Sequence, residues 1–354
     1  VGAGLEIGPL PAEAGYQISR PGLHDPPGRA GKPGAFVQGH RLLMLSCIVA
    51  GKGKTTLPAN RARIRGTGTD SALQRPARRE SMTYRFSIHG ARGTRPAIGK
   101  HYLRYGGDTT CFSLESDEGL LVIDAGTGLV RLGQELQKRD ELPPISIFFS
   151  HFHSDHVMGL SHFAPLYNER TDLSLVARGS NGTDWRKALN AYAGVPFWPV
   201  SLHDAPARTS FAELPEETGA TEVYGIRVSW CPLNHPQGCR AFKLRAGRMT
   251  IVLATDHEPG DPVHDQRLLE FCRGADLLVH DAQYTREEYG PRKGWGHATV
   301  QDAIRTARDA GVEELFLTHH DPDRRDDHLD GLVEDSRKAF RHTFAAKPSL
   351  TLTA

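Results

Sequence analysis

A short run near the middle of the chain concentrates side chains suited to holding metal ions. Three imidazoles and one carboxylate fall within six positions, at His151, His153, Asp155 and His156. Side chains two positions apart on an extended strand share a face, so His151 and His153 would point to one position. The following turn would bring Asp155 and His156 to a second position. Zinc, manganese and iron prefer these donors, so the run predicts a centre for two divalent ions.

The elements that must position this run are strands of an alternating α/β chain. The run directly follows an apolar strand predicted at 145–149, and helical spacing predicts helices at 129–136, 184–192, 263–273, 298–310 and 331–345. Further strands are predicted at 84–89, 111–115, 120–123, 173–177, 226–230, 241–244, 250–254, 277–280 and 315–318. Three of these lead into Asp124, Asp256 and His319. Because functional side chains gather at strand ends in layered α/β proteins, the pattern predicts an active site there.

The first 81 residues differ in composition from the rest. They contain 12 Lys and Arg against 5 Asp and Glu, a net charge of +7, with 13 Gly and 8 Pro and no sustained period. The remaining residues, 82–354, carry a net charge of −6. A segment with so little apolar periodicity buries too little surface to offset its ordering entropy. We predict that 1–81 is an unstructured or non-native extension and that 82–354 is the folded domain.

The cysteines and the longest apolar run of the first 81 residues indicate the cellular compartment in which the protein is expected. The apolar run at 42–50 is too short to span a bilayer, so no membrane partner is expected. The five cysteines are widely spaced and form no paired metal motif, which is typical of thiols in a reducing cytoplasm. We therefore expect a cytoplasmic protein, and the sequence leaves a homodimer open.

The run 151–156 matches the His-x-His-x-Asp-His signature of the metallo-β-lactamase superfamily, and the chain resembles that superfamily. The resemblance covers roughly 83–354 and implies an α/β fold, a four-layer αββα sandwich with the hydrolase site at its edge. It also implies three later ligands in the right order, His235, Asp256 and His319. The resemblance implies that His151, His153 and His235 hold one ion and that Asp155, His156 and His319 hold the other. It also implies that Asp256 binds both ions.

Two further assignments follow from the same resemblance. Asp124 resembles the family's aspartate beneath the site, which orients a ligating imidazole. His319 matches the family's Thr-His pattern as the last ligand, but the neighbouring His320 leaves a swapped assignment open.

Later segments favour the phosphodiesterase branch, which includes ribonuclease Z. The segment 278–282, with Asp281, resembles that branch's His-Glu-Ala-Thr, and 296–299, with His297, resembles its Gly-His-Ser-Thr. In those enzymes the second His serves the departing oxygen and the acid supports it. An aspartate beside an imidazole fixes its tautomer and suits it to donate a proton near neutral pH. Trp295 and Tyr284 are either pocket residues or core residues.

The resemblance implies metal-assisted hydrolysis. Two cations sharing a water lower its pKa to about 7, and the resulting hydroxide attacks phosphorus in line. Asp155 both ligates and accepts the water's proton, and His297 protonates the leaving oxygen. Zinc is the expected metal, with manganese or iron as alternatives. The preferred substrate is a small phosphodiester such as a cyclic nucleotide.

The sequence is also compatible with other functions. A lactonase or thioesterase would keep the same ligands without needing Asp281 and His297. A ribonuclease that processes transfer-RNA 3′ ends is less favoured, because 82–354 is acidic and only 21 residues separate His235 from Asp256, too few for the long arm of those enzymes. A nucleic-acid partner is therefore not preferred. A non-catalytic metal-binding protein would show gaps in the ligand set, and the sequence contains none.

Overall fold

The structure, a computed structural model, describes residues 82–179, 184–215, 217–348 and 350–353. Within these ranges the chain forms two seven-stranded mixed sheets flanked by helices. The prediction of an extension over 1–81 lies outside the described residues. Among the helices that the structure describes, none is long and apolar enough to cross a membrane.

The first sheet has its signature-bearing strand near the middle. In spatial order its strands are β14 (Thr351–Thr353), β1 (Arg85–Gly90), β2 (Cys111–Ser116), β3 (Gly119–Ile123), β4 (Ile145–Phe148), β5 (Asp172–Ala177) and β6 (Arg208–Glu213). The strands from β14 to β3 pair antiparallel, and those from β3 to β6 pair parallel. The chain thus enters the metal-ligand motif at the end of a parallel strand.

The second sheet repeats this combination of antiparallel and parallel pairing. In spatial order its strands are β13 (Thr343–Ala345), β12 (Glu314–Thr318), β11 (Leu277–Asp281), β10 (Met249–Ala254), β9 (Cys239–Ala246), β8 (Ile226–Leu233) and β7 (Gly219–Val223). The strands from β7 to β10 pair antiparallel, and those from β10 to β13 pair parallel. Three strand ends of this sheet lead to predicted ligands.

The helices of the described residues are α1 (Gly128–Leu136), α2 (Ser154–Val157), α3 (Trp185–Tyr192), α4 (Pro262–Cys272), α5 (Arg286–Tyr289), α6 (Val300–Ala310) and α7 (Asp326–Ala339). Of these, α1 and α3 pack on the outer face of the first sheet, and α4 and α6 pack on that of the second. Thr299 caps α6 through a reciprocal capping box with Asp302, and Gly311 ends it in the left-handed conformation. These two signals set the bounds of the helix that follows His297.

The apolar residues form three layers of core. One cluster fills the space between the sheets, where Phe148 meets Phe242 edge to face at 6.0 Å. A second lies between the first sheet and α1, and a third lies between the second sheet and helices α4 and α6. In β4, Phe148 points to the inner cluster and Ile147 to the outer one, as strand alternation requires. The order helix, sheet, sheet, helix confirms the predicted four-layer αββα sandwich.

Most predicted helices and strands are confirmed. The differences concern the bounds of one polar helix and three exposed strands. The helix predicted at 331–345 is wrong in its bounds, because α7 runs Asp326–Ala339 and Thr343–Ala345 is strand β13. Acidic residues opening a helix are favoured by its dipole, which explains why the polar stretch near Asp326 is helical. Strands β6, β7 and β14 were not predicted, since they are largely exposed and show little apolar alternation.

Candidate metal centre

The structure brings all seven predicted metal ligands together at one end of the sandwich. Four follow β4 of the first sheet, and two of these lie on the short helix α2. The other three follow β8, β10 and β12 of the second sheet. Their donor atoms form overlapping groups, each within 4.8 Å, and the residues are His151, His153, Asp155, His156, His235, Asp256 and His319. Strand ends from both sheets therefore build one cluster.

Asp124 orients His156 from beneath the cluster. Its fully buried carboxylate accepts hydrogen bonds from Ser150 N at 2.7 Å, Ser150 Oγ at 2.8 Å and His156 Nδ1 at 2.8 Å. With its Nδ1 proton donated to Asp124, His156 directs Nε2 towards Asp155 and Asp256, at 3.4 and 3.2 Å. Asp124 has a φ of 63°, an uncommon conformation for a non-glycine residue that recurs at functional sites.

His153 and His235 present facing nitrogens on the other side. Nδ1 of His235 donates to the carbonyl of Gly296 at 2.8 Å, and Nε2 of His153 donates to Oε1 of Gln237 at 3.0 Å. The remaining nitrogens, His235 Nε2 and His153 Nδ1, lie 3.0 Å apart. Burial lowers the pKa of His235 to about 4, so this ring is neutral at pH 7. Because Nδ1 of this neutral ring carries the proton given to Gly296, its Nε2 presents a lone pair to which a cation could bind.

His319 completes the cluster from β12. Its Nδ1 donates to Oε1 of Gln283 at 3.0 Å, and its Nε2 lies 3.1 Å from Asp155 Oδ2 and 3.3 Å from Asp256 Oδ1. His320 turns away, with its Nε2 donating to the carbonyl of Ala346 at 2.9 Å. The geometry therefore places His319 in the cluster and His320 outside it.

The donor set fits divalent cations. His151 Nε2, His156 Nε2 and Asp256 Oδ2 are buried without a hydrogen-bond partner. Buried polar atoms are normally satisfied, so three orphans around one point indicate that an ion satisfies them. In the described part of the chain, Asp155 and Asp256 pair with imidazoles but with no Lys or Arg within 4.0 Å.

The electrostatics of the cluster favour positive charge at its centre. Burial alone would raise the pKa of Asp256, but the surrounding imidazoles outweigh it and hold that pKa well below the usual range. Burial alone would lower the pKa of His156, yet Asp256, Asp155 and Asp124 raise it well above its usual value. Burial alone would also lower the pKa of His319, but Asp256 and Asp155 raise it to about 9. The carboxylates thus draw cationic charge to these nitrogens, which protons or metal ions could supply.

Two glycines allow neighbouring loops to approach the imidazoles closely. A Cβ at Gly93 would lie 2.2 Å from His319 Nδ1, and a Cβ at Gly296 would lie 2.2 Å from His235 Nδ1. Gly296 also has a φ of 91°, which L side chains rarely adopt. Side chains at these positions would displace the rings.

His297 and Asp281 form a pair beside the cluster. His297 Nδ1 lies 2.8 Å from Asp281 Oδ2, and the imidazole stacks on His319 with centroids 4.6 Å apart. Asp281 is itself held by backbone donors, Gln283 N at 3.0 Å and His257 N at 3.3 Å. Because Nδ1 faces Asp281, the other ring nitrogen of His297 is left for the adjoining pocket, which His297 lines. This arrangement can hold or deliver a proton.

The pocket over the cluster has a volume of about 550 Å³. Asp155, Asp256 and His319 form part of its floor, and Trp295 and Tyr284 line its wall. The structure thus places both aromatics at the pocket, with Tyr284 buried and Trp295 59% exposed. A cleft of this size suits a small molecule or one end of a larger one.

Two residues that hold this site together were not predicted from the sequence. Gln283 accepts from His319 Nδ1 and donates to Thr94 Oγ1 at 3.1 Å. Glu258 accepts from Gly294 N at 2.6 Å and Gly296 N at 2.7 Å. Gln283 lies two positions after Asp281, and Glu258 lies two positions after Asp256. Their place among the polar residues that follow a strand end was the only feature of the sequence that could have indicated them.

Comparison with known proteins agrees with this architecture. The family model described as the β-lactamase superfamily domain matches residues 120–320. A ribonuclease Z of Brevibacillus brevis is 38% identical over 275 residues, covering 64% of this chain and 83% of the relative. The metallo-β-lactamase fold protein YhfI of Bacillus subtilis superposes with a TM-score of 0.58 at 19% identity, covering 77% of this chain and 99% of that one. A diphosphatase of the PhnP family superposes with a TM-score of 0.57 at 16% identity, covering 77% and 98%.

The chain therefore belongs to the metallo-β-lactamase superfamily, and it is a metal-dependent hydrolase. Within that superfamily it is ribonuclease Z-like, as its sequence relatives show. The two solved structures agree with the fold.

Proposed function

We propose that the chain is a phosphodiesterase that uses two divalent ions, zinc expected, on a small phosphodiester such as a cyclic nucleotide. The observation that carries this proposal is the Asp281–His297 pair at the pocket, with Nδ1 and Oδ2 2.8 Å apart. A thiolate leaves readily, so a thiol ester does not require such a proton donor. A phosphodiester with a poorly departing alcohol does.

We assign His151, His153 and His235 to one ion and Asp155, His156 and His319 to the other, with Asp256 shared. These groupings follow the clusters of donor atoms within 4.8 Å. When bound, the ions would supply Lewis-acid activation of water and positive charge for the phosphoryl oxygens.

The chain's own residues then handle the protons. Asp281 accepts from His297 Nδ1 and fixes the ring, so that Nε2 delivers a proton to the departing oxygen. Asp155, whose Oδ2 accepts from Thr94 N at 2.7 Å, takes the proton of the attacking water. The neighbouring imidazoles hold the pKa of Asp155 below its usual range despite burial, so it is a carboxylate at neutral pH.

The ribonuclease Z relatives favour a second candidate, an RNA substrate. Against it stands the net charge of −6 over residues 82–354, since gripping a polyanion calls for basic surface. Only the β9–β10 hairpin lies between His235 and Asp256, consistent with the prediction that no long arm is present.

The test compares substrates that differ in leaving group. Zinc- and manganese-loaded protein is assayed with bis(p-nitrophenyl) phosphate, a cyclic nucleotide, a short RNA, a lactone and a thioester, with Asp155→Ala as the inactive control. We expect metal-dependent phosphodiester cleavage that Asp155→Ala abolishes. Lactone or thioester turnover without phosphodiester cleavage would refute the proposal, and preferential RNA cleavage would select the second candidate.

The role of His297 is tested separately with His297→Ala. Turnover of the cyclic nucleotide should fall by roughly 10²–10⁴-fold with metal content unchanged, and bis(p-nitrophenyl) phosphate, whose leaving group needs little protonation, should be affected less. His203→Ala is the matched control, because that imidazole is 92% exposed and pairs only with Asp204 among the described residues. Loss of metal from His297→Ala, or full activity on the cyclic nucleotide, contradicts the assigned role.

A further inference from the structure

An exposed tryptophan lies at the mouth of the pocket. Trp295 is 59% exposed and lines the cavity above the clustered ligands. It belongs to the loop between α5 and α6, two residues before His297. Large aromatic side chains are usually buried, and an exposed one at a polar cavity offers a flat apolar face to a ligand.

The backbone on both sides of Trp295 is clamped by one buried carboxylate. Glu258 accepts from Gly294 N at 2.6 Å, from Gly296 N at 2.7 Å and from Tyr289 OH at 2.7 Å. The indole is therefore exposed on a backbone that is already held in place. A ligand that binds this indole need not order the loop, so little conformational entropy is lost on binding.

Arg292 supplies a positive charge to the same pocket. The turn between the two residues is closed by Trp295 N donating to the Arg292 carbonyl at 3.1 Å. The guanidinium lies over the Tyr284 ring at 5.2 Å and donates from Nη1 to the Glu288 carbonyl at 2.9 Å. In the described ranges no carboxylate lies within 4.0 Å of it, and its other N–H groups remain for a ligand. Arg95, the other arginine of the pocket, is paired with Asp323 at 2.6 Å. Arg292 is thus the pocket arginine left to meet an anion.

We propose that Trp295 and Arg292 form a nucleotide subsite on the leaving-group side of the pocket, with the base stacked on the indole and a second phosphate group at the guanidinium. The inference rests on the proposed phosphodiesterase function. The leaving-group side is assigned because His297, which meets the departing oxygen, lies on the same clamped loop. An aromatic platform beside a cation matches a nucleotide, and about 550 Å³ accommodates one.

The base contact is tested by competitive inhibition of bis(p-nitrophenyl) phosphate hydrolysis. Adenosine 5′-monophosphate carries adenine at C1′ where ribose 5-phosphate carries a hydroxyl group. A change in the ratio of their inhibition constants between wild type and variant therefore measures the contribution of the base contact. Trp295→Ala should reduce that ratio by about tenfold or more, and Trp295→Phe should restore most of it. Phe197→Ala is the matched control, because Phe197 is also an exposed aromatic, at 77%, but does not line this pocket.

The phosphate contact is tested by the ratio for adenosine 3′,5′-bisphosphate over the monophosphate. Arg292→Gln should reduce this ratio several-fold, and Lys293→Gln, which alters an adjacent cation outside the pocket, should leave it unchanged. Equal weakening of all three inhibitors by Arg292→Gln would overturn the second-phosphate assignment.

Failure of this inference is distinguishable from failure of the proposed function. If wild-type protein does not cleave bis(p-nitrophenyl) phosphate, the proposed function fails, and the same affinity ratios are measured by calorimetry on zinc-loaded protein. If it does cleave, but Trp295→Ala leaves the base ratio equal to that of Phe197→Ala, the subsite is wrong and the phosphodiesterase stands.

Discussion

Replacing Gly296 with alanine should disrupt the candidate metal centre through one ligand. The added Cβ would lie 2.2 Å from His235 Nδ1 and 2.4 Å from Pro236 Cδ. The Gly296 carbonyl also accepts the proton of that same ring nitrogen. The substitution therefore acts first on His235.

The magnitude follows from the contact distances. Real Cβ contacts essentially never fall below 3.0 Å, so the ring and the loop must separate by at least 0.8 Å, the difference between 3.0 and 2.2 Å. Metal–ligand distances tolerate only about 0.2 Å, so we expect this separation to weaken or remove His235 as a ligand. The alanine is also strained at a φ of 91°, which costs about 1–3 kcal/mol of folding stability.

Gly294→Ala separates strain from collision. Gly294 has a φ of 89° in the same loop, and a Cβ there meets nothing within 4 Å. Both variants keep their N–H donors to Glu258. We expect both to lose about 1–3 kcal/mol in urea unfolding, and only Gly296→Ala to lose bound zinc, measured by mass spectrometry after equilibrium dialysis. Equal zinc content in the two variants would refute the assignment of His235 as a ligand constrained by this loop.

Two further predictions concern residues around the centre, and a third concerns residues 1–81. Asp124→Asn should weaken zinc binding by about 10–100-fold in a chelator competition while the far-ultraviolet circular dichroism stays native, because the amide no longer matches the His156 Nδ1 proton. Glu258→Gln should lower stability at neutral pH. The folded-state pKa of Glu258 lies below its ordinary value of 4.5. The difference in unfolding free energy between wild type and variant is therefore fully present above pH 4.5 and disappears as the pH falls through the folded-state pKa. Urea unfolding at a series of pH values measures this difference. Deleting residues 1–81 should leave both Tm and hydrolysis unchanged, and loss of either would contradict the assignment of that segment as an extension.

Much of the fold could be predicted because each layer carries its own local signal. The apolar strand before the signature, the hairpin of β2 and β3 and the capped helix α6 all combine a clear period with turn or cap residues. The polar edge strands could not be predicted in this way. Strand β7, for example, is mostly exposed and is specified by its pairing with β8 rather than by its own pattern.

The clustered residues themselves could be predicted more fully than the residues that hold them in place. The signature fixed the first four candidates, and family order pointed to His235, Asp256 and His319. The clamp by Glu258 was not visible, because its partners lie 36 and 38 positions away and are backbone N–H groups, which leave no mark in a side-chain pattern. The choice between His319 and His320 likewise depended on which way each imidazole turns as the chain leaves β12.

The origin of the ligands in both sheets has a consequence for how the protein is produced. A chain in which only one sheet has formed holds only part of the donor set, so tight metal uptake must coincide with docking of the two sheets. Bound metal then acts as a cross-link that favours the docked state by mass action. We expect zinc limitation during expression to lower the yield of soluble, protease-resistant protein as well as its specific activity. Supplying zinc after purification would then recover less protein than supplying it during synthesis.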